Sequence, residues 1–184
     1  NALVANTTAD GNVAIGYNAM TAATTGGEST AIGKQALDAT TTGHSHIAVG
    51  KSALGSNTTG NYNTAAGHHS LLSNTTASNN TAVGHDCLFS NTTASNNTAV
   101  GVDALRANTT GDSNVALGVN AFASNTTAVA GTAIGKGALG ANTTGHHNTA
   151  VGFQASRDNT TGEWNVALGR HSLATNTTGH QNVA

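Results

Sequence analysis

Hydrophobic and polar positions recur along this chain with a fixed period of 17 residues. Ten complete units run without insertion or deletion from residue 12 to residue 181, and partial units occupy residues 1–11 and 182–184. The unit at 97–113, for example, reads NTAVGVDALRANTTGDS. A short fixed period indicates that each unit is one turn of a stacked array and buries its apolar side chains against its neighbours. We therefore expect residues 1–184 to form a single repeat array.

We number the positions of the unit 1 to 17 from the residue equivalent to Asn97. Some positions hold one residue type in every unit and others vary. Position 3 is Ala and position 5 is Gly in all ten units. Position 4 is Ile, Val or Leu except at Ala66, position 8 is small, and position 9 is Leu, Met or Phe except at Ser156. Positions 12 to 15 read Asn-Thr-Thr-Gly or a close variant, which is typical of a turn.

This pattern favours short strands over helices. Every unit contains a Gly, β-branched residues are frequent at positions 2 and 4, and the apolar stretches are only two or three residues long. The sequence therefore predicts an all-β parallel solenoid of about ten turns, with two short strands per coil near positions 2–4 and 8–10. At a strand spacing of ~4.8 Å, the rod would be on the order of 50 Å long.

The apolar residues at both positions 3 and 4 suggest that the strand is covered on both of its faces, since neighbouring residues of a strand point in opposite directions. We expect positions 4 and 9 to fill the coil, and the small residues at positions 3 and 5 to allow a second chain to approach. The chain-contact residues expected on this basis are Ala31, Gly33, Ala48, Gly50, Ala82, Gly84, Ala99, Gly101, Ala150 and Gly152.

Charge is sparse and confined to a few positions. Charged residues make up 8% of the chain, the formal net charge is −2, and all of them fall at positions 6, 7, 10, 11, 16 or 17, the expected corners of the coil. The scarcity of Lys and Arg argues against a nucleic-acid partner, which needs clustered basic residues. Nor do we expect membrane insertion, because no apolar run approaches the ~20 residues of a membrane-spanning helix.

Catalysis is not expected, because repetition places like residues in columns whereas an active site needs unlike residues in one place. The single Cys87 occupies position 8 and is expected to be a small buried residue. The nine His residues fall at positions 1, 6, 7, 16 and 17, where solvated surface side chains are the favoured interpretation. A metal site formed by His68, His69 and His85 with Asp86 is the less favoured alternative, so neither a metal nor another cofactor is expected.

The Asn-Thr-Thr phrase allows three interpretations. The first is N-glycosylation, because each of the nine Asn-Thr-Thr copies is a sequon and two further Asn residues begin sequons of their own. The favoured interpretation is a turn in which Asn and Thr stack into hydrogen-bonded columns. Regular Thr could also order water on an ice-binding face, although two adjacent Thr in a turn should diverge. The sequons begin at Asn6, Asn57, Asn74, Asn79, Asn91, Asn96, Asn108, Asn125, Asn142, Asn159 and Asn176.

The recurring phrase Asn-Thr-Ala-Val-Gly-x-x-Ala-Leu, as in NTAVGVDAL from Asn97 and STAIGKQAL from Ser29, resembles the head repeats of trimeric autotransporter adhesins. The longer form with Asn-Thr-Thr-Gly is similar to repeat regions of phage tail-fibre proteins and large bacterial surface proteins. The resemblance covers essentially the whole chain and implies a left-handed parallel β-roll with three chains side by side. The adhesin period is usually shorter than this one, and the extra residues lie in the Asn-Thr-Thr-Gly arm.

Together these observations predict a non-enzymatic structural and adhesive module of an extracellular fibre, on a cell or virion surface. The expected partners are copies of the same chain, as a homotrimer or filament, and host-cell surfaces or glycans. Exposed aromatic residues at positions 6 and 17 are candidate binding residues: Tyr17, Tyr62, Phe153 and Trp164. Because the chain starts and stops within a repeat, a section of a longer array is expected. The alternatives are a filament subunit without a ligand and an ice-binding solenoid.

Overall fold

The computed structural model describes all 184 residues and contains ten strands, each of three residues, and no helix. The strands form one parallel sheet in sequence order, and each residue pairs with the residue 17 positions later. The predicted all-β parallel solenoid with 17-residue coils is therefore confirmed. The strands are β1 (Val13–Ile15), β2 (Thr30–Ile32), β3 (Ile47–Val49), β4 (Thr64–Ala66), β5 (Thr81–Val83), β6 (Thr98–Val100), β7 (Val115–Leu117), β8 (Thr132–Ile134), β9 (Thr149–Val151) and β10 (Val166–Leu168).

Hydrogen bonds join consecutive coils around the whole circumference and not only along the sheet. Only 18 of the 122 backbone hydrogen bonds lie within the strands. Outside the sheet, the Leu88 N–H donates to the Ala104 carbonyl at 3.0 Å, and the Thr75 N–H donates to the Thr92 carbonyl at 3.0 Å. These bonds run along the axis of the solenoid, so each coil is held mainly by the coils before and after it.

The interior of the coil is filled by positions 3, 8 and 9, which confirms the expectation for position 9 and corrects it for positions 3 and 4. The Ala at position 3 is fully buried within a single chain in β2 to β10, whereas the aliphatic side chain at position 4 points outward. Val83, for example, is 38% exposed while the preceding Ala82 is fully buried. A small Ala fits here because the large side chain at position 9, such as Leu88, occupies the interior. The Ala members of the expected chain-contact set, Ala31, Ala48, Ala82, Ala99 and Ala150, therefore lie inside the coil.

The second predicted strand, near positions 8–10, is absent, and a turn takes its place. The 30 non-glycine residues with positive φ lie only at positions 7, 9 and 17 of the repeat, among them Asp86 and Leu88 with φ of 51° each. In a strand, positions 8 and 9 would face opposite ways. The left-handed conformation on either side of position 8 directs both side chains inward, so Cys87 and Leu88 are both fully buried.

Glycine at position 5 is required by close approach between coils of the same chain. Gly84 has φ of +138°, and a Cβ built on it would lie 2.4 Å from the carbonyl oxygen of Gly101 in the next coil. The backbone that lies against Gly33, Gly50, Gly84, Gly101 and Gly152 belongs to the following coil of the same chain, and the approach of a second chain at these residues stays a prediction.

Candidate functional site

The outward side of the sheet is a surface without charge, which we call the sheet face and define as the side chains of positions 2 and 4. Position 4 contributes aliphatic side chains in every coil, with Ala only at Ala66. Position 2 contributes either Thr or an aliphatic residue. Ile15, Ile47 and Leu168 are 58%, 49% and 60% exposed. Ten in-register strands at ~4.8 Å make this surface about 43 Å long.

Buried asparagines at position 12 form a hydrogen-bonded column inside the coil, which is interrupted only between Asn125 and Asn142. Asn108 Nδ2 donates to Asn91 Oδ1 at 2.8 Å and to the Gly111 carbonyl at 3.0 Å, and Asn125 Nδ2 donates in turn to Asn108 Oδ1 at 2.7 Å. The favoured interpretation of the Asn-Thr-Thr phrase is therefore confirmed. An N-linked glycan is attached through Nδ2, so this fold leaves no room for one at the fully buried residues Asn57, Asn74, Asn91, Asn108, Asn125, Asn142 and Asn159.

The Thr residues after this asparagine diverge, as expected. The Thr at position 13 donates its hydroxyl to the carbonyl of its equivalent in the next coil, as Thr109 does to Thr126 at 2.9 Å. The Thr at position 14 points outward, and all eleven copies, from Thr8 to Thr178, are exposed. This unbroken rank is a second regular surface of the molecule.

A second column of asparagines, at position 1, contains a buried histidine that was expected at the surface. Asn63 Oδ1 accepts the backbone N–H of Asn80 at 3.0 Å. His46 occupies the same position, is 1% exposed, and its Nδ1 accepts the N–H of Asn63 at 3.3 Å. Desolvation by burial lowers the pKa of His46 from 6.5 to about 4. The expectation of a solvated residue was wrong for His46, because its imidazole substitutes for an asparagine amide in this column.

The four candidate aromatic residues are all exposed but lie apart from one another. Tyr17 and Phe153 flank the sheet face at position 6, and Tyr62 and Trp164 lie at position 17. Each contacts a basic or histidine side chain of an adjacent coil. The closest of these pairs is Trp164 with His147, whose rings stack with centroids 4.0 Å apart. Any ligand that used these residues would therefore meet four separate contact points.

Near the middle of the rod, four titratable side chains of two adjacent coils come together as the histidine cluster: His68, His69, His85 and Asp86. The rings of His68 and His85 stack with centroids 5.2 Å apart. Asp86 Oδ1 lies 3.4 Å from His69 Nδ1, and Asp86 Oδ2 lies 3.6 Å from His85 Nδ1. The sequence had placed these residues together as the less favoured metal alternative.

A shallow groove of about 580 Å³ adjoins this cluster. His85 and Asp86 line one end of the groove, and Asp103 and Arg106 line its middle. Arg106 Nε lies 3.2 Å from Asp103 and 3.8 Å from Asp86. The groove is thus polar and already contains a paired cation.

The one thiol is not placed for nucleophilic chemistry. Cys87 is fully buried, its Sγ lies 3.2 Å from the Ala99 carbonyl, and burial raises its pKa to about 12. Nucleophilic cysteines need a lowered pKa and access to substrate. The expectation that Cys87 is a small buried residue is confirmed.

No protein-family model matches the sequence, and searches of curated proteins and of solved structures return no match either. The structure has no helix long and apolar enough to cross a membrane. The functional argument therefore depends on the surfaces of the solenoid itself: the sheet face, the rank of Thr, the separated aromatics and the histidine cluster.

Proposed function

We propose that this chain is a stiff structural segment of an extracellular fibre that assembles with copies of itself through the sheet face. The observation that supports this most is that the exposed side chains of the sheet face are uncharged and are aliphatic at nearly every position 4. Aliphatic side chains line its whole length, and no charged residue interrupts them. Large exposed apolar surfaces of this kind mark sites of protein association.

The partner that fits this face best is a second copy of the same solenoid. The aliphatic side chains repeat once per coil, at ~4.8 Å along the axis. Only a surface with the same axial repeat can interdigitate with them over ten coils without losing register. A further copy of this chain provides that repeat by construction.

The strength of the association can be judged from the buried area. Complete burial of a Val or Ile side chain is worth about 1.5–3 kcal/mol, so covering the exposed two-fifths of each gains about 0.6–1.2 kcal/mol. The nine coils with Val, Ile or Leu at position 4 then contribute about 5–11 kcal/mol, which is comparable to the roughly 4–15 kcal/mol that association costs. The contact therefore needs most of the length of the rod.

Three copies are the stoichiometry that we propose, supported by the resemblance of the repeat to trimeric adhesin heads. The variable positions 6 and 17, which are exposed in most coils, and the half-buried positions 7 and 16 would remain on the outside of such an assembly. Weak contacts from the four aromatic residues, multiplied across identical chains, would give adhesion to a cell surface or glycan through avidity.

The self-association is tested by placing charge on the sheet face. The double variant Val83→Lys and Val100→Lys adds two cations near its centre, and the matched control Thr93→Lys and Thr110→Lys adds the same charge on exposed turn positions of nearby coils. Analytical ultracentrifugation is expected to give about three times the 18.1 kDa chain mass for the parent and the control. The sheet-face variant should sediment as a monomer with an unchanged circular dichroism spectrum. A monomeric parent would refute the proposal.

Adhesion is tested separately with the intact oligomer. Glycan-array and cell-binding measurements on the parent are compared with the quadruple replacement of Tyr17, Tyr62, Phe153 and Trp164 by Ser, which should lose binding and keep its mass. If the oligomer binds no glycan, cell or surface, only the structural half of the proposal stands.

Ice binding is a second candidate, and the rank of eleven exposed Thr at position 14 favours it. No side-chain hydrogen bond within the chain uses these hydroxyls, although their neighbours at position 13 are bonded in every copy from Thr7 to Thr160. Thermal hysteresis in the parent that is lost in Thr93→Lys and Thr110→Lys would select this function. Freezing behaviour equal to that of a protein of the same mass would exclude it.

A further inference from the structure

We propose that His68, His85 and Asp86 bind a divalent transition-metal ion and thereby link two consecutive coils. One potential ligand atom from each of these residues lies within 4.8 Å of the others. Ligands around a Zn²⁺ ion lie ~2.0–2.2 Å from the metal, so modest side-chain rotations are enough to close the site. His68 belongs to the coil of β4, whereas His85 and Asp86 belong to the coil of β5.

Unsatisfied polar atoms provide an independent indication of a missing partner. Three buried side-chain nitrogen or oxygen atoms in the whole chain have no hydrogen-bond partner, and two of them are His68 Nδ1 and Asp86 Oδ1. Buried polar atoms without a partner are costly, and each such atom in a folded protein needs an explanation. A cation bound between the imidazole and the carboxylate would satisfy both atoms at once.

The repeat itself gives no structural reason for these side chains. Position 6 accepts Lys51 and Val102 in the flanking coils, and position 7 accepts Asn120 two coils further on. The backbone conformation is the same in each case, because position 7 keeps its positive φ in Asp86 and Asn120 alike. The coil therefore folds without any of the three proposed ligands.

The donor set indicates which cations fit. Two imidazole nitrogens and one carboxylate oxygen suit Zn²⁺, Ni²⁺ or Cu²⁺ better than Mg²⁺ or Ca²⁺, which prefer oxygen ligands alone. Only a neutral imidazole can act as a ligand, so the titration is done at neutral pH or above. Three protein ligands leave the remaining positions to water, as in open metal sites.

The charges around the proposed site have opposing effects on the binding of a cation. Arg106 Nε lies 3.8 Å from Asp86 Oδ2, whereas Asp86 Oδ1 faces His69 Nδ1 at 3.4 Å without forming a hydrogen bond. Lys51 in the preceding coil disfavours a cation, whereas the carboxylate of Asp103 offsets Arg106 at 3.2 Å. The immediate surroundings are therefore close to balanced, and the carboxylate of Asp86 supplies the charge that attracts the ion.

The experiment is a calorimetric titration of the intact, chelator-treated chain with ZnCl₂ at neutral pH. Each test variant carries a residue that the repeat already uses at the same position: His68→Lys, His85→Val and Asp86→Asn. The control His171→Gln removes an exposed histidine at position 7 and introduces the residue found at the same position in Gln154. Circular dichroism confirms that all four variants remain folded.

The expected result is saturable binding of about one Zn²⁺ per chain, weakened at least about tenfold in each test variant and unchanged in the control. Imidazole nitrogen resonances of His68 and His85 should shift on adding Zn²⁺, while those of His171 remain in place. Binding that persists in His85→Val and Asp86→Asn, or that declines equally in His171→Gln, would overturn the proposal. An absence of saturable binding in the parent would do the same.

Discussion

His46 is expected to make the stability of this protein depend on pH over a defined range. The imidazole lies in the position 1 column of asparagines, 1% exposed, with Nδ1 accepting the N–H of Asn63 at 3.3 Å. Protonation would convert that acceptor into a donor facing another donor, inside a coil that excludes water. Replacement by Asn, the residue at position 1 of most units, restores an amide oxygen as the acceptor.

The magnitude follows from the pKa of His46, which burial lowers from 6.5 to about 4. Above pH 6.5 the imidazole is neutral in both the folded and the unfolded chain, so stability is at its full value. Between pH 6.5 and about 4 the unfolded chain binds the proton first, and stability falls with falling pH. At 1.36 kcal/mol per pKa unit, the loss is about 3 kcal/mol when the range has been crossed.

The measurement is chemical unfolding of the parent and of His46→Asn at a series of pH values from 7.5 to 4. We expect the two proteins to differ by about 1 kcal/mol or less at pH 7.5. Toward pH 4, the free energy of unfolding of the variant should rise by about 3 kcal/mol relative to that of the parent, because the variant lacks the buried imidazole. Comparing the two proteins at each pH cancels the titration of the carboxylates and of the other histidines.

His180→Asn serves as the control, since His180 is exposed in the last turn. Its stability difference from the parent should not follow the pH course of the His46 variant. A difference between the parent and His46→Asn that stays constant from pH 7.5 to 4 would refute the reasoning. So would a His46 imidazole that titrates near 6.5 by NMR in the folded protein.

Three further substitutions test the interior of the coil. Gly84→Ala should lower the free energy of unfolding by several kcal/mol, because its Cβ would lie 2.4 Å from a carbonyl oxygen. The control Gly140→Ala, at a position where other units have Ala, should change stability by less than about 1 kcal/mol in thermal unfolding. Cys87 should resist thiol-specific labelling until the protein unfolds, and Cys87→Ala should unfold at nearly the parent temperature; rapid labelling of the native chain would contradict its burial. Asn108→Ala should cost about 1–3 kcal/mol because it leaves buried amide groups unpaired, and an effect no larger than that of the exposed Thr110→Ala would count against the asparagine column.

The 17-residue period was sufficient to predict the parallel solenoid, its in-register pairing and the asparagine column, because strict repetition leaves stacking as the simplest way to bury the apolar positions. It was not sufficient to tell the inside of the coil from the outside. Ala82 and Val83 are both apolar, so hydrophobicity does not distinguish their faces. The answer depends on the left-handed conformation of Leu88, which directs the largest side chain inward, and local propensity gives no indication of positive φ in a leucine.

The candidate sites were likewise predictable in part from the sequence. The proximity of His68 and His85 could be predicted, because residues 17 apart are neighbours in adjacent coils. Burial of His46 was missed, although a signal existed: it replaces an Asn in a position that is otherwise Asn, Ser or Gly. The unpaired atoms of the histidine cluster depend on side-chain rotamers and had no counterpart in the sequence pattern.

The axial direction of the hydrogen bonds also determines how the molecule would respond to mechanical load. Pulling the two chain ends apart strains the bonds of the outermost coil first, and they open one after another, as in unzipping. Each detached coil releases 17 residues, or roughly 58 Å of extended chain, and removes only ~4.8 Å of rod. A tethered array would therefore lengthen in equal steps at nearly constant force. It would dissipate mechanical energy coil by coil, while its remaining coils stay folded.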